Sequence, residues 1–399
     1  MREWHECRLG EVASMLRRGT APAYVSMSTV RAIGQRCVRN EGFDVAAARP
    51  HDARAGAVVR PECGDVLINS TGTGTIGRSC VFPCERGDFM VDGHVTLVRP
   101  AASELDGRFL NELVRSPGGQ RFLESHCFAG STNQIELSCT QLSQMPVVVP
   151  PLDEQRRIAE ILDTIDETIQ VAERVIAKRQ LLRTALIREQ TLPNSGVRDR
   201  RTLPAGWIDV RIGDALQQHV ERVRIDDHQS YDLISIRRRH GGMFHRERHA
   251  GSEILGKNMQ RVIPGTFVIA RRQIVHGACA IATPEFAHSI MSMSYSAFVG
   301  TPICDIRYFF ALAQTPPMVR RFWDASHGVV VEKLNFQQEE WLGYRVQLPP
   351  MEVQREIVDA VNASEAEITA LSQELEAIRG VRIALAVDLL SGRVRTVAA

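Results

Sequence analysis

Apolar residues recur at helical spacing in two long segments of the chain, residues 158–186 and 357–389. The stripe of the first segment includes Ile158, Ile165, Ala172 and Leu186. The corresponding stripe of the second includes Ile357, Leu371, Ile378 and Leu385. Intervals of seven or fourteen residues are typical of helices that pack along a common seam. We therefore expect two paired helices of roughly 36 residues and about 50 Å each; the alternative is that each helix lies on its own domain.

Each helical segment is introduced by the same short motif. The sequence PPLDEQRRI at residues 150–158 returns as PPMEVQREI at residues 349–357, an offset of 199 residues. A proline pair suits the N-terminal boundary of a helix, because proline lacks the amide proton that a helix interior requires. The motif therefore marks two equivalent helix starts.

The repeat extends beyond the helices. Trp4 corresponds to Trp207, and the strand-like GDVLI at residues 64–68 corresponds to GTFVI at residues 265–269. A period near 200 residues is too long for a solenoid. The pattern therefore predicts one domain-plus-helix unit that occurs twice.

The segments before the helices predict mixed α and β domains, an α+β fold class. Strand candidates are residues 65–69, 95–98, 145–149, 266–270 and 344–348, and short-helix candidates are residues 108–115 and 306–314. The predicted organisation is a first domain at 1–151, a spacer helix at 152–190, a linker at 191–206, a second domain at 207–350 and a spacer helix at 351–392.

Composition excludes several classes of protein. The 399 residues are 44% hydrophobic and 24% charged, as in ordinary globular domains. There is no uncharged apolar run of the roughly 18 residues that a bilayer span needs, and no N-terminal leader, so we expect no membrane contact and a cytoplasmic location. The nine cysteines show no paired metal-ligand spacing. We expect them to be reduced core thiols rather than metal ligands or disulfides.

Charge is distributed unevenly, although the total is close to zero. The chain has 48 basic and 47 acidic residues, but residues 200–349 carry 19 basic and 14 acidic ones. Phosphate attraction acts over roughly 8 to 10 Å, so a nucleic-acid binder needs local rather than total positive charge. All the basic residues except Lys178, Lys257 and Lys333 are arginines, whose planar fork matches guanine edges and phosphates. Codon bias in a GC-rich genome is the simpler explanation of this richness.

The sequence GTGTIG at residues 72–77 matches a dinucleotide-binding pattern. That pattern binds pyrophosphate only when its third glycine opens a helix. The following residues 78–83, RSCVFP, favour a strand that ends at proline. We therefore interpret the segment as a tight turn or as a loop whose backbone approaches a ligand, with a nucleotide-dependent enzyme as a less favoured alternative. Because the common nucleotide, nucleophile and metalloprotease motifs are also missing from the sequence, we expect no intrinsic catalytic site, no metal and no cofactor.

Several loops combine arginine, amide, hydroxyl and glycine residues suited to phosphates or base edges. The candidate DNA contacts of the first domain are Arg17, Arg18, Ser70, Thr71, Thr73, Arg78, Thr132, Asn133 and Gln134. Those of the second domain are Arg237, Arg238, Arg239, His245, Arg271, Arg272, Gln273, His276 and Lys333. A solvated charged surface is the alternative for these loops, and a zinc site is the alternative for His245 and His249.

The repeated motif resembles that of the specificity subunits of type I restriction-modification enzymes. The matching positions are Pro150, Pro151, Leu152, Glu154, Gln155 and Ile158, with Pro349, Pro350, Gln354 and Ile357 in the second copy. The second copy departs from the family pattern at Met351 and Val353, which leaves its local capping and partner contacts open. The resemblance covers essentially the whole chain.

The resemblance implies two target-recognition domains, each reading one part of a bipartite double-stranded DNA sequence, held apart by an antiparallel pair of helices. It also implies that two methyltransferase subunits dock on the helices and the motif, and that restriction and translocase subunits complete the enzyme. S-adenosylmethionine, ATP and Mg²⁺ would then belong to those partners. A stand-alone tandem DNA-binding protein is the alternative. Because the two domains differ in charge, an asymmetric target is expected.

Overall fold

The computed structural model describes residues 4–130, 135–191, 203–331 and 334–396. The chain folds as two compact units. The first is built from the described residues within Met1–Arg174 and Gln373–Ala399, and the second from those within Val175–Ser372. Each unit therefore contains one mixed α and β domain and part of each long helix.

In the first unit, the central sheet has four antiparallel strands in the order β2-β10-β7-β8. A second sheet has the order β6-β3-β9, and three two-stranded pairs are β1-β13, β4-β5 and β11-β12. The strands are β1 His5–Arg8, β2 Ala13–Arg18, β3 Val30–Ile33, β4 Val38–Arg39, β5 Gly42–Phe43, β6 Arg49–Pro50, β7 Val66–Asn69, β8 Ser79–Val81, β9 Asp88–Val91, β10 Val95–Pro100, β11 Phe128–Ala129, β12 Glu136–Leu137 and β13 Pro146–Val149. The short helices are α1 Gly107–Arg115, α2 Pro117–Phe122 and α3 Cys139–Ser143.

The long helix α4, Leu152–Thr191, begins in the first unit and ends in the second. The strands of the second unit are β14 Ile208–Arg211, β15 Leu216–Gln218, β16 Arg222–Arg224, β17 Ser230–Ile236, β18 Met243–Ala250, β19 Asn258–Arg261, β20 Phe267–Ala270, β21 Cys279–Ile281, β22 Ile290–Ser292, β23 Tyr295–Gly300, β24 Ser326–His327, β25 Asn335–Phe336 and β26 Arg345–Leu348. Its helices are α5 Ile212–Ala215, α6 Ile306–Ala313, α7 Pro316–Asp324 and α8 Gln338–Gly343, followed by the long helix α9 Met351–Leu390.

The two units repeat one topology. The order β15-β23-β20-β21 reproduces the central sheet of the first unit, and β14-β26 and β24-β25 reproduce β1-β13 and β11-β12. In both units a parallel strand pair lies in a second sheet, β3 with β9 and β17 with β22. The second unit enlarges that sheet to five strands, because β19 and β16 are added beside β22. The duplication predicted from the sequence is therefore seen in the fold, because the second unit repeats the topology of the first.

The predicted strands and short helices are also confirmed, within one or two residues at most ends. The long helices exceed the predicted length, since each has 40 residues, and their first residues, Leu152 and Met351, lie 199 positions apart. The predicted seam is only partly buried. In the first unit Ile158 and Leu162 of α4 are buried with Ala386 and Leu389 of α9 in one apolar core. Helical periodicity predicted these helices well because a repeat of apolar positions is a local signal.

An ionic cluster lies between the helices within each unit. In the first unit the guanidinium of Arg382 donates to both oxygens of Asp166, at 3.0 and 2.9 Å, and to Glu112 at 2.7 Å. In the second unit Arg183 donates to Glu365 at 2.9 Å. These pairs are equivalent, because Arg183 and Arg382, like Asp166 and Glu365, are separated by the repeat offset of 199. Arg382 of α9 is thus an ion-pair partner inside the first unit.

The expectation that all nine cysteines are reduced is wrong for one pair. Cys63 and Cys84 form a disulfide, with their Cα atoms 4.6 Å apart. The strands β7 and β8 place Val66 opposite Val81, and continuing this antiparallel register outward places Cys63 opposite Cys84. The other cysteines are free, and burial raises the pKa of the Cys80 thiol to about 12. Strand register, which sequence spacing does not reveal, explains the pairing.

Candidate nucleic-acid interface

Segments that the sequence singled out separately meet at one end of the first central sheet. Arg18, at the end of β2, forms an ion pair with Glu136 of β12 at 2.6 Å. Thr71 forms a β-bridge with the same Glu136, and the amide of Leu137 donates to the carbonyl of Ser70 at 2.8 Å. The Arg17–Arg18 segment, the loop after β7 and the end of the loop before β12 therefore adjoin one another. Thr132, Asn133 and Gln134 lie outside the described residues.

Side chains support the glycine loop of residues 72–77. The hydroxyl of Thr71 accepts from Gln35 Nε2 at 2.5 Å and lies 3.0 Å from His94 Nδ1. Gly77 has a φ of 82°, and a Cβ there would lie 3.2 Å from the ring of Phe128. The chain then enters β8 rather than a helix. This confirms that the loop lacks the helix N-terminus that a dinucleotide-binding motif requires.

The predicted contacts of the first unit differ in their access to a ligand. Arg17, Thr73 and Arg78 are exposed. Ser70 is fully buried, and its hydroxyl lies 2.6 Å from that of Thr96. The side chain of Ser70 is therefore part of the domain interior, while its contact with DNA stays a prediction.

An arginine-lined cleft of about 440 Å³ adjoins the glycine loop. Arg78 of the predicted set lines it together with Arg36, Arg39 and Asn40. The last three come from the segment around β4 and were not among the residues predicted from the sequence. Two arginines three residues apart formed no recognisable local motif, so only the folded sheet revealed their proximity to Arg78.

In the second unit, a tight turn presents the run of three arginines. The turn between β17 and β18 has Arg239 and His240 at its centre, with φ angles of 57° and 56°. Non-glycine residues rarely adopt this left-handed region, at a cost of about 1 to 2 kcal/mol each. Two backbone hydrogen bonds hold the turn, from the Arg239 amide to the carbonyl of His276 at 2.7 Å and from the His240 amide to that of Gly277 at 2.8 Å. The predicted segments 237–239 and 271–276 are therefore adjacent.

Side chains strengthen this junction. Arg238 Nε donates to Gln273 Oε1 at 2.9 Å, and the guanidinium of Arg237 lies 4.3 Å above the ring of Phe244. Arg271, directly after β20, donates to the carbonyl of Phe336 at 3.3 Å. This last contact resembles the link from Ser70 to Leu137 in the first unit, since both join the loop after a central strand to the small hairpin. Arg272 is exposed beside these residues.

The other residues predicted as sites in the second unit lie away from that junction or outside the residues that the structure describes. His245 lies within β18, and its ring packs against Phe286 at 4.7 Å between centroids. Lys333 is outside the described residues. His249 is engaged by Glu253 at 3.2 Å and Glu247 at 3.3 Å, and these hydrogen bonds raise its pKa. Among the described residues no group of three His, Cys, Asp or Glu side chains could hold a metal, so nothing favours the zinc alternative.

The glutamines of the repeated motif have the same internal role in both units. Gln155 Oε1 accepts from the amide of Asp106 at 2.8 Å, and its Nε2 donates to the carbonyls of Glu104 and Pro150 at 2.8 and 2.7 Å. Gln354 makes the equivalent bonds with Asp305, Ile303 and Pro349, at 2.8, 2.9 and 2.8 Å. Both glutamines are fully buried. Their side chains clamp the start of the long helix to the domain, and a contact of the motif with a partner stays a prediction.

Other motif positions also serve the fold. Ile158 and Ile357 are buried in the apolar cores of the first and second units. Glu154 accepts two hydrogen bonds from Arg395, both 2.8 Å, and one from Trp4 Nε1 at 3.1 Å. These hydrogen bonds lower the pKa of Glu154. In the second unit the equivalent Val353 packs against the apolar core, which explains how the second copy dispenses with the carboxylate.

The fold is built twice, and arginine, amide and hydroxyl groups gather at the loop ends of each central sheet. Residues 60–178 match the family model of the type I restriction modification DNA specificity domain. The match includes the first copy of the repeated motif, and it confirms the resemblance to the specificity subunits of type I restriction-modification enzymes.

Individual proteins are also similar to this chain. The type I restriction enzyme MjaX specificity subunit of Methanocaldococcus jannaschii is 24% identical over 161 residues, which cover 38% of this chain and 37% of that relative. A solved chain from a study of complex assembly and conformational transition of the type I R-M system has a TM-score of 0.62 at 16% identity, over 98% of both chains. The S subunit of a type I system from M. genitalium has a TM-score of 0.55 at 12% identity, over 97% of this chain and 96% of that one. These two structures show that the fold is shared.

Within the described part of the chain, no helix has the length and apolarity needed to cross a bilayer.

Proposed function

We propose that this chain reads a bipartite, asymmetric DNA sequence and directs methyltransferase and restriction subunits to it. The observation that carries the proposal is the duplication. Two units of one topology each gather polar and arginine-bearing loops around the end of the same central sheet. Their contact residues differ, since the first has Arg18, Thr71 and Arg78 where the second has Arg238, Arg271 and Gln273. Two unlike readers suit two unlike half-sequences.

Two readers also satisfy the energetics of recognition. Each bidentate base contact discriminates by roughly 1 to 3 kcal/mol, and one domain reaches only a few base pairs. When two readers are joined, the second binds at high effective concentration, provided that their spacing fits the DNA. A long unique site therefore requires two domains and a spacer of defined length.

We propose that α4 and α9 form this spacer as an antiparallel coiled-coil pair, with the domain limits given by the sequence pattern and the two halves related by a pseudo-two-fold repeat. The equivalent ion pairs Arg382–Asp166 and Arg183–Glu365 support this, because each joins the two helices and both occur at the same repeat positions. Charged pairs that match only in one register help to specify helix pairing.

The long helices also offer a surface to partner subunits. Several apolar side chains on them are more than half exposed or close to it, namely Val171 at 50%, Leu181 at 72%, Leu182 at 52%, Val381 at 60% and Ile383 at 57%. Exposed apolar surface of this kind is typical of protein-protein contacts. We propose that two methyltransferase subunits bind here, that restriction and translocase subunits join them, and that S-adenosylmethionine, ATP and Mg²⁺ act in those partners.

The test is a comparison of the methylated motifs of the host genome with and without this gene. We expect one bipartite, non-palindromic motif to disappear on deletion and to return on complementation, and the chain to co-purify with a methyltransferase. An unchanged set of methylated motifs would contradict the proposal. Sequence-specific DNA binding without any methyltransferase partner would instead favour a stand-alone tandem DNA-binding protein.

A further inference from the structure

A polar cleft of about 440 Å³ in the second unit has a wall of amide side chains. It lies where the end of β15, the strand β19 and the start of α8 meet the loop after β20. Gln218, Gln260, Gln338 and Arg271 line it. Of these only Arg271 was expected from the sequence. The cleft occupies the end of the sheet β15-β23-β20-β21, the same end at which the first unit gathers its candidate loops.

Hydrogen bonds fix the orientation of the amides. The hydroxyl of Ser296 donates to Gln338 Oε1 at 2.6 Å, and Gln338 Nε2 donates to Gln218 Oε1 at 3.0 Å. These two hydrogen bonds engage both Oε1 and Nε2 of Gln338. They leave Nε2 of the exposed Gln218 as a hydrogen-bond donor. The bond from Arg271 to the carbonyl of Phe336 holds the guanidinium beside the cleft.

Gln260 supplies the opposite kind of group. Its Nε2 donates to the carbonyls of Tyr295 and Ser292, at 2.8 and 3.3 Å, so the amide cannot turn over without losing both bonds. Its Oε1 has no hydrogen-bond partner among the described residues, although the side chain is only 1% exposed. A buried acceptor without a partner is costly, at about 1 to 3 kcal/mol. Because Gln260 lines the cleft, its fixed amide adds an unpaired acceptor at the cleft wall to the donor that Gln218 supplies.

The charges favour a base edge over a phosphate. Arg271 is the one basic residue among the described residues that line the cleft, and Glu339 and Glu340 line it as well. The exposed arginines 237–239 and 272, outside the cleft, are better suited to the DNA backbone. In the major groove, adenine offers a donor at N6 beside an acceptor at N7, whereas guanine offers two acceptors. An acceptor next to donors complements adenine, while guanine O6 would face Gln260 Oε1 unfavourably.

We infer that this cleft reads an adenine in the half-sequence that the second unit recognises, with Gln218 donating to the base and Gln260 and Gln338 as oriented amides. The inference rests on the proposed function. It concerns one base position in one half-site and leaves the other half-site unaffected.

The sharpest variant is Gln218→Glu, which keeps the side-chain shape but replaces the donor Nε2 by an acceptor oxygen. Gln217→Glu is the matched control, because it places the same charge one residue away in β15 on a side chain that does not line the cleft. Each variant replaces the chromosomal gene, and the methylated motifs of the host are mapped. We expect Gln218→Glu to lower methylation of the wild-type motif at least tenfold and to change a single adenine position, while Gln217→Glu retains the motif.

If both variants retain the wild-type motif, the inference is wrong although the proposed function stands. If Gln218→Glu abolishes methylation altogether, binding of the purified wild-type complex to oligonucleotides decides. Replacing each adenine of the target in turn by 7-deazaadenine removes its N7 acceptor, and we expect one position to lose at least tenfold in affinity. The same replacement should have no effect on the Gln218→Ala complex. Absence of any sensitive adenine in either half-site would overturn the inference.

Discussion

Single buried side chains determine how each domain is joined to its long helix. Gln155 and Gln354 each bind one amide and two carbonyls inside the protein, and no other residue type of that size supplies two donors and an acceptor in this arrangement. The glutamine of the repeated motif is therefore explained by the fold. A clamp at the helix start fixes the angle at which the helix leaves the domain.

Replacing Gln155 by alanine should destabilise the first unit. The change leaves the amide of Asp106 and the carbonyls of Glu104 and Pro150 without partners, and we expect a loss of about 3 kcal/mol in the free energy of unfolding. Urea unfolding of the purified protein measures this. Gln180→Ala, at an exposed position of the same helix, is the control, for which a change within about 0.5 kcal/mol is expected. Equal midpoints for the two variants would show that the clamp contributes little.

At the scale of an element, the turn between β17 and β18 is held by its neighbours rather than by its own sequence. Two-residue turns of this kind favour Asn-Gly, yet Arg239 and His240 adopt the left-handed conformation. The ring of His240 lies against Gly277, where a Cβ would approach it to 3.0 Å. Burial and the nearby charge of Arg183 lower the pKa of His240. The arginines of the turn are therefore positioned by a partly buried, neutral imidazole.

This burial predicts a pH dependence of stability. A histidine whose pKa is lowered on folding stabilises the folded state above its ordinary pKa of 6.5, and that contribution is lost as the pH falls below 6.5. The stability advantage of the wild type over His240→Asn, which tolerates the left-handed region, should therefore shrink between pH 7.5 and pH 5.5. Urea unfolding at several pH values measures the difference. His228→Asn, at an exposed position, serves as a control. The prediction would be refuted if the difference in unfolding free energy between the wild type and His240→Asn stayed constant with pH.

At the scale of the whole molecule, duplication is the property from which the proposed function derives. Each unit repeats the central sheet, the small hairpin, the glutamine clamp and the arginine-carboxylate pair at an offset close to 199 residues. The units differ in the loops and in the second sheet, where a DNA sequence would be read. The repeated parts are thus structural, and the divergent parts are suited to specificity.

If α4 and α9 act as a ruler, lengthening α4 should change the spacing of the recognised sequence. Four residues inserted after Glu173 add about one helical turn, or roughly 6 Å, which corresponds to about 2 base pairs. We expect methylation mapping to show a gap longer by 1 or 2 base pairs between unchanged half-sequences. Substitution of four exposed residues of α4 without insertion is the control. A constant gap in the insertion variant would contradict the ruler.

Local sequence patterns were sufficient for much of the architecture. Apolar periodicity predicted α4 and α9, the repeated motif located their first turns, and the absence of a helix after Gly77 separated the glycine loop from a nucleotide site. These features depend on residues close together in the chain, so the sequence carries them directly.

The tertiary structure decided what depends on distant residues. The register of β7 and β8 paired Cys63 with Cys84, packing withdrew Ser70 from the surface, and the fold brought Gln218, Gln260 and Gln338 together from three elements. By itself the sequence determined a duplicated α+β chain with two long helices, and it indicated the family that the chain resembles. Which side chains share a cleft followed only from the folded sheets, because hydrogen-bond partners far apart in sequence leave no periodic signal.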